Sequence, residues 1–225
     1  MNKICAVIPA YNEEKKLSLL LKKIKERNID VIVIDDGSTD NTAAIAENEG
    51  ASLIRHSSNE GKGRALRDGF RIALEKGYDF VITVDADGQH DIDEIPLFIK
   101  KIQNSDAGIV IGNRLHHPKG MPLYRLFINR LFSKITSLVC RQDIPDVACG
   151  YRIIKKDVLQ LIYLETNGFD VDFEIIIESS KIGFRIDYIN IDCIYAGEKS
   201  YIRPIQYWNG FFRLIFKELR NKLAI

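Results

Sequence analysis

The chain has 225 residues, 46% of them hydrophobic and 28% charged, and a formal net charge of +1 at pH 7. A chain of this length and composition can bury a sizeable core without disulfides or a structural metal. Its near-zero charge argues against a nucleic-acid-binding surface.

Cys5, Cys140, Cys149 and Cys193 form no C-x-x-C pair, which argues against a zinc cluster and fits a reducing, cytoplasmic setting. Cys5 and Cys193 lie in apolar runs and read as core packing. Met1-Asn2-Lys3 leads straight into an apolar strand, so no signal peptide is expected. No run approaches the ~18–20 apolar residues of a membrane span. The expectation is a protein that is soluble or lies on a membrane without crossing it.

In chain order, residues 4–10 read as a strand ending in the turn PAYNEE, and 13–27 carry a helical period of Leu17, Leu20, Leu21 and Ile24. A second strand, 31–34, ends in Asp35-Asp36-Gly37-Ser38. Ser38 or Thr39 is placed to cap a helix running to about 48. Residues 52–56 form a short strand, and Asn59-Glu60-Gly61-Lys62-Gly63 turns into a helix over 64–76. The run FVITVDADGQH, 80–90, is a buried parallel strand stopped by acids. Asp91 and Glu94 are spaced as a capping box for a helix to 102, and 107–112 is a fifth strand.

Beyond Arg114 the character changes. Residues 116–121 are a loop, 123–139 a long helix, and 146–152, DVACGYR, a turn. Helices are expected near 155–162 and over 171–181, and a strand over 185–195. The tail, 205–225, is a basic amphipathic helix with Trp208, Phe211, Phe212, Ile215 and Leu219 on one side. The alternation predicts a mostly parallel α/β sheet with right-handed crossovers, flanked by helices.

Asp85 and Asp87 stand two residues apart where a strand ends, and ligands of such sheets collect outside the carboxyl ends of strands. Mg²⁺ and Mn²⁺ prefer carboxylate oxygens and take remaining ligands from water and substrate phosphates. Gln89 can add a carbonyl. The plainer reading, helix capping, suits Asp91 better. A second acid cluster at Asp35 and the PAYNEE turn should emerge on the same edge, and Asp35 can meet a base or ribose. The Asn59–Gly63 turn is not a P-loop, yet its glycines admit a diphosphate that Lys62 can oppose.

VIPAYNEE, VIDDGSTD, N-x-GKG, VDADGQH, GNR and D-x-x-x-GYR follow in that order. Together they resemble the inverting family 2 glycosyltransferases of GT-A fold, a Rossmann-like nucleotide-sugar architecture. The subgroup is the polyprenyl-phosphate (dolichyl-phosphate) sugar synthases, and the match spans about residues 3–200. The resemblance implies a donor site built from Pro9, Ala10, Tyr11, Glu13, Asp35, Lys62, Asp85, Ala86, Asp87 and Arg114, with metal ligands Asp85, Asp87 and Gln89. It implies acceptor-phosphate contacts at Arg125, Asn129 and Arg152. Asp146 is read as either a base and acceptor-positioning residue or an anchor for the turn before Gly150. The family's G-x-S-K ending is altered to GEKSYIRP, leaving Lys199 or Arg203 to serve.

The expected division is a catalytic domain over 1–204, with a nucleotide-sugar half to 114 and an acceptor half beyond, then the amphipathic helix. The expected reaction is metal-dependent, inverting hexose transfer to a polyprenyl phosphate, with GDP-mannose favoured over UDP-glucose and UDP-GlcNAc. The expected place is the cytoplasmic face of a membrane, with the tail lying on it or packing on the domain. The competing expectations are a family 2 enzyme with a soluble or cell-surface glycan acceptor, and a non-catalytic nucleotide-sugar-binding relative. A D-x-D phosphatase fits poorly, because Gln89 follows the glycine and the motif lies mid-chain.

Overall fold

The computed structural model describes residues 2–192 and 204–223. Seven strands form one sheet: β1 Ile4–Ala10, β2 Asp30–Asp35, β3 Ser52–Arg55, β4 Phe80–Thr83, β5 Ile109–Asn113, β6 Arg152–Lys155 and β7 Ile186–Asn190, in the order β3-β2-β1-β4-β6-β5-β7. The sheet is parallel except for β6, which runs antiparallel to both β4 and β5. A mostly parallel sheet was expected and is found; β6, within what the sequence read as a turn running into a helix, is its antiparallel member. Four residues suffice here because Arg152-Ile153-Ile154 are buried on both faces. Such a run shows neither the alternation nor the length that marks a strand in sequence. The sheet therefore does not divide at residue 114: a strand from the second half lies inside it.

Among the described residues eight helices flank it: α1 Leu17–Lys25, α2 Thr42–Asn48, α3 Lys62–Glu75, α4 Ile95–Gln103, α5 Leu123–Cys140, α6 Lys156–Leu161, α7 Val171–Lys181 and α8 Pro204–Leu223. One buried cluster unites the strands with α1 and α4, and a second unites them with α3, α5, α7 and α8. Helix α3 lies so close to β1 that a Cβ on Gly69 would stand 2.3 Å from Val7 Cγ1. The chain winds outward from β1 to β3, then α3 returns it to β4 on the other flank of β1. The order thus reverses between β1 and β4. That is where the carboxyl ends of strands part to form a ligand crevice.

Two expected caps are absent. Asn41, not Ser38 or Thr39, precedes α2; the Ser38 hydroxyl instead accepts Asn12 N at 2.9 Å. Asp91 caps a short 3-10 turn through Asp93 N, but the Glu94 carboxylate turns away and accepts Asp192 N at 3.0 Å. The tail helix also departs from expectation. Phe211, Leu214 and Ile215 are buried in the core, while Trp208, Phe212, Phe216 and Leu219 are exposed. Phe211 stacks on Phe132 at 4.1 Å between ring centres. Helix α8 is apolar on two sides, so a single apolar face was the wrong picture. Among the described residues no helix is long and apolar enough to cross a membrane.

Candidate active site

Three turns at the carboxyl edge are laced together by short polar side chains. Asp36 N donates to Ala10 O at 2.8 Å, Asn12 N to Ser38 Oγ, and Glu13 N to Thr42 Oγ1. These bonds fix Pro9, Ala10, Tyr11 and Glu13 beside Asp35. The Asp35 carboxylate is wholly buried, accepting Ser38 N at 3.0 Å and lying 3.1 Å from Arg55 Nε. Asp36 shapes the next turn: its carboxylate accepts Glu60 N and Gly61 N at 2.8 Å each, and meets His56 Nδ1 at 2.8 Å. Gly61 has φ +98°, and a Cβ there would strike Asn167 O, so glycine is required at the entry to α3. The result presents Lys62 to the crevice floor.

Lys62 Nζ lies 2.7 Å from Asp85 Oδ1 and 2.9 Å from Asp172 Oδ2. Burial works against its charge, but the two carboxylates raise its pKa above the ordinary lysine value. Burial also pushes Asp85 up, yet Lys62 and His90 more than offset it, holding that carboxyl well below the usual range. Asp87 moves the other way. Burial, then the neighbouring Asp85 charge, raise it. Its only hydrogen bond on a carboxylate oxygen within the described structure comes from Gln89 N, at 3.0 Å. Ala86 between them is buried. Gly150 closes the far wall, and a Cβ there would lie 2.5 Å from Asp85 Oδ2 and 2.8 Å from Lys62 Nζ.

Among the described residues no group of three or more His, Cys, Asp or Glu could hold a metal ion. The acid pair still suits Mg²⁺ or Mn²⁺, which need few protein ligands when a diphosphate supplies the rest. Asp87 is the group a cation would relieve, since Asp85 already has Lys62. Asp85 and Gln89, whose backbone N–H holds Asp87, are its neighbours in the same turn.

On the acceptor side, Arg114 forks onto Asp146: Nε to Oδ2 at 2.8 Å, Nη2 to Oδ1 at 3.0 Å, with Arg114 N on Oδ2 at 3.1 Å. Asp146 is wholly buried, and both its oxygens are engaged by the arginine. This geometry favours an orienting anchor over a base. Arg125 and Asn129 lie half-buried on α5.

Arg152 departs from its expected place at the acceptor phosphate. It is 1% exposed, donating Nε to Cys149 O and Nη2 to Val147 O, with Asp172 Oδ1 at 3.7 Å. It starts β6 beneath the site and braces the 146–150 turn. Lys199 and Arg203 lie outside the described residues.

Asp172 was not foreseen. It sits in the first turn of α7, spatially beside Lys62 but 110 positions away, and the only local hint was the acid density of Asp170-Val171-Asp172-Phe173-Glu174. His90, buried against Tyr151 and 3.3 Å from Asp85, was also missed.

The sequence compares with characterised proteins along its whole length. It is 32% identical to the UDP-N-acetylglucosamine–dolichyl-phosphate N-acetylglucosaminyltransferase of Methanococcus voltae, covering 98% of this chain and 96% of that one. It is 30% identical to the undecaprenyl-phosphate mannosyltransferase of Micrococcus luteus, covering 82% and 80%. The fold matches the crystal structure of glucosyl-3-phosphoglycerate synthase from Mycobacterium tuberculosis with Mn²⁺ and UDP, with a TM-score of 0.73 at 19% identity over 100% of this chain and 81% of that one. Residues 5–162 match the description Glycosyl transferase family 2. With that match, a GT-A sheet and a site at its switch point, the chain belongs to glycosyl transferase family 2.

Proposed function

We propose that the enzyme transfers a hexose from a nucleotide sugar to a polyprenyl phosphate with inversion at the anomeric carbon. The observation that carries this reading is the pairing of the Asp85–Asp87 turn with a locked Arg114 fork around Gly150. Such a site is built to hold two phosphorylated reactants. The turn from Pro9 to Glu13 and Asp35 hold the nucleoside, and Lys62 lies beside the diphosphate. Arg114 is fixed by Asp146, and a guanidinium held in this way suits phosphate recognition. Arg125 and Asn129 extend that surface for the acceptor.

In the reaction an acceptor phosphate oxygen bonds to the sugar's anomeric carbon as the bond from that carbon to the diphosphate breaks. A phosphomonoester has a second pKa near 6, so it is largely dianionic at neutral pH and needs no strong base. That agrees with an Asp146 committed to Arg114. A bound Mg²⁺ or Mn²⁺, held at Asp87 with Asp85 and Gln89, supplies neutralisation of the departing diphosphate's charge.

Helix α8 packs on α5, α5 exposes Leu123, Tyr124, Phe127 and Leu131, and exposed Arg130, Lys134, Arg213, Lys217 and Arg220 add positive charge. This surface suits the cytoplasmic face of an anionic membrane, where the enzyme sits peripherally and meets its lipid acceptor. The donors to test are GDP-mannose, favoured by the resemblance, with UDP-glucose and UDP-GlcNAc. The last gains weight from the Methanococcus relative's name. The test is transfer of labelled sugar into organic-extractable polyprenyl phosphate. Absence of transfer from all three donors overturns the reading.

A further inference from the structure

Helix α8 does more than cover the core. Tyr207, Gly210, Phe211, Leu214, Ile215 and Glu218 turn toward the domain, while Trp208, Phe212, Phe216 and Leu219 turn out. The helix is held in place by Arg213 on Asp170 at 2.9 Å and by Lys217 on Glu165 at 2.6 Å. Gly210 rides directly over Asp170, where a Cβ would lie 2.5 Å from Oδ2. These contacts fix the rotation of α8 and hence where its first turn points.

That turn carries Tyr207. Its ring packs 4.9 Å from Phe173 and 6.1 Å from Phe132, beside the α7 residue Asp172. A buried phenol usually finds a hydrogen-bond partner, yet this hydroxyl bonds to nothing in the described structure. Nor is it sealed off, since the fully enclosed polar atoms without partners are others, Arg152 Nη1 among them. Burial, then Asp172, raise the phenol well above its ordinary pKa, with Arg114, Asp146 and Arg152 also acting on it. Those charged neighbours belong to the site, and the group stays a protonated donor.

We infer that Tyr207 is a substrate-contacting residue whose hydroxyl donates a hydrogen bond to the phosphate head of the lipid acceptor. The inference rests on the acceptor class proposed above. A neutral O–H is a suitable additional donor there, because the Arg114 fork already spends two N–H groups on Asp146, and O–H to phosphate oxygen is a short, charge-assisted bond. The lipid source is favoured over a soluble phosphate because Trp208 and Phe212 emerge from the same helix on its outer side. A phosphate whose tail lies in the bilayer would arrive at this level.

The test is Tyr207→Phe in the full chain, which keeps the ring packing. Farnesyl phosphate binding should weaken at least fivefold, while UDP and GDP binding with Mn²⁺ and the melting temperature stay at wild-type values. Unchanged farnesyl phosphate affinity, no wild-type binding of it, or a parallel loss of nucleotide affinity overturns the inference. Binding of 3-phosphoglycerate or inorganic phosphate with equal sensitivity to the substitution overturns the lipid assignment. The two readings separate cleanly. A wild type that binds farnesyl phosphate through Tyr207 yet transfers no sugar sinks the proposed reaction alone. Sugar transfer with a Tyr207→Phe variant that binds normally sinks the tyrosine alone.

Discussion

The outer side of α8 can be tested without disturbing its inner side. Phe212 and Phe216 are 37% and 66% exposed. A phenylalanine presents about 200 Å², so together they leave roughly one ring's area in water. Full immersion of that area at about 25 cal/mol per Å² is worth ~5 kcal/mol, and half immersion in an interface ~2.5 kcal/mol. Phe212→Ser with Phe216→Ser should therefore lower partition onto vesicles roughly 70-fold at half immersion. Co-sedimentation with phosphatidylcholine–phosphatidylglycerol vesicles reads this directly. Melting should fall less than for loss of a fully buried ring, since Phe216 is mostly exposed and Phe212 only partly covered by Phe132 and Phe211. Phe211→Ala is the opposite case. That ring is fully buried on Phe132 and Phe173, so the expected loss is ~3–5 kcal/mol of stability. Deleting the whole helix would expose Phe132 and Phe173 and confuse the two effects. A double serine variant that pellets like wild type, or a Phe211→Ala variant that melts like it, refutes the two-sided assignment.

Asp87→Ala should abolish turnover and the response to added Mg²⁺ or Mn²⁺, measured by sugar transfer; retained metal-dependent turnover removes the role given to that carboxylate. Asp146→Asn breaks a buried bidentate pair and should lower stability by ~3–5 kcal/mol in chemical denaturation, with loss of transfer. Removing divalent ions with EDTA should weaken UDP or GDP binding at least tenfold by calorimetry. Glu94 is raised to about 7, first by burial. A carboxyl raised on folding contributes stability that is present below its unfolded value near 4.5 and is lost as pH rises through about 7. Glu94→Gln keeps an acceptor for Asp192 N without the charge, so its melting temperature relative to wild type should rise between pH 5 and 8. A difference flat across that window contradicts the assignment.

The legible parts of this molecule were those coded locally. Strands β1, β2 and β4 announce themselves as apolar runs stopped by PAYNEE, Asp35-Asp36 and Asp85-Ala86-Asp87, and parallel strands carry those stops to one edge. What escaped was set by tertiary neighbours. Strand β6 is four residues long and exists because β4 and β5 offer edges on both sides. Arg152 was read as a phosphate ligand from its match to the family's D-x-x-x-G-F-R element, yet its Nε and Nη2 donate to the carbonyls of Cys149 and Val147 inside the fold. Asp172 acquires meaning only beside Lys62, and no helical period points there. Helix α8 misled for a related reason. Trp208, Phe211, Phe212, Ile215 and Leu219 form one broad stripe by period, and only the packing of Phe132 and Phe173 against Phe211 decides which residues go inward.

The charge arrangement at the acid pair fits the proposed use of a metal with the nucleotide. Around the acid pair stand four carboxylates, Asp85, Asp87, Asp146 and Asp172, and four cations, Lys62, Arg114, Arg152 and Lys16, the last donating Nζ to Asp87 O at 2.7 Å. Each cation is already engaged: Lys62 by Asp85 and Asp172, Arg114 by Asp146, and Arg152 by carbonyls and Asp172. Asp87 is left with a single backbone N–H, and its raised carboxyl reflects that. A diphosphate entering alone would meet the Asp87 carboxylate, which pairs with no cation among the described residues. Each like-charge contact near 4 Å would oppose it by about 1–4 kcal/mol at effective dielectrics between those of water and a protein surface. A divalent cation at Asp87 would offset that repulsion. One acid of the D-x-D pair thus serves the protein's own lysine and the other is kept for the ligand, a division that the spacing of the two residues could not reveal.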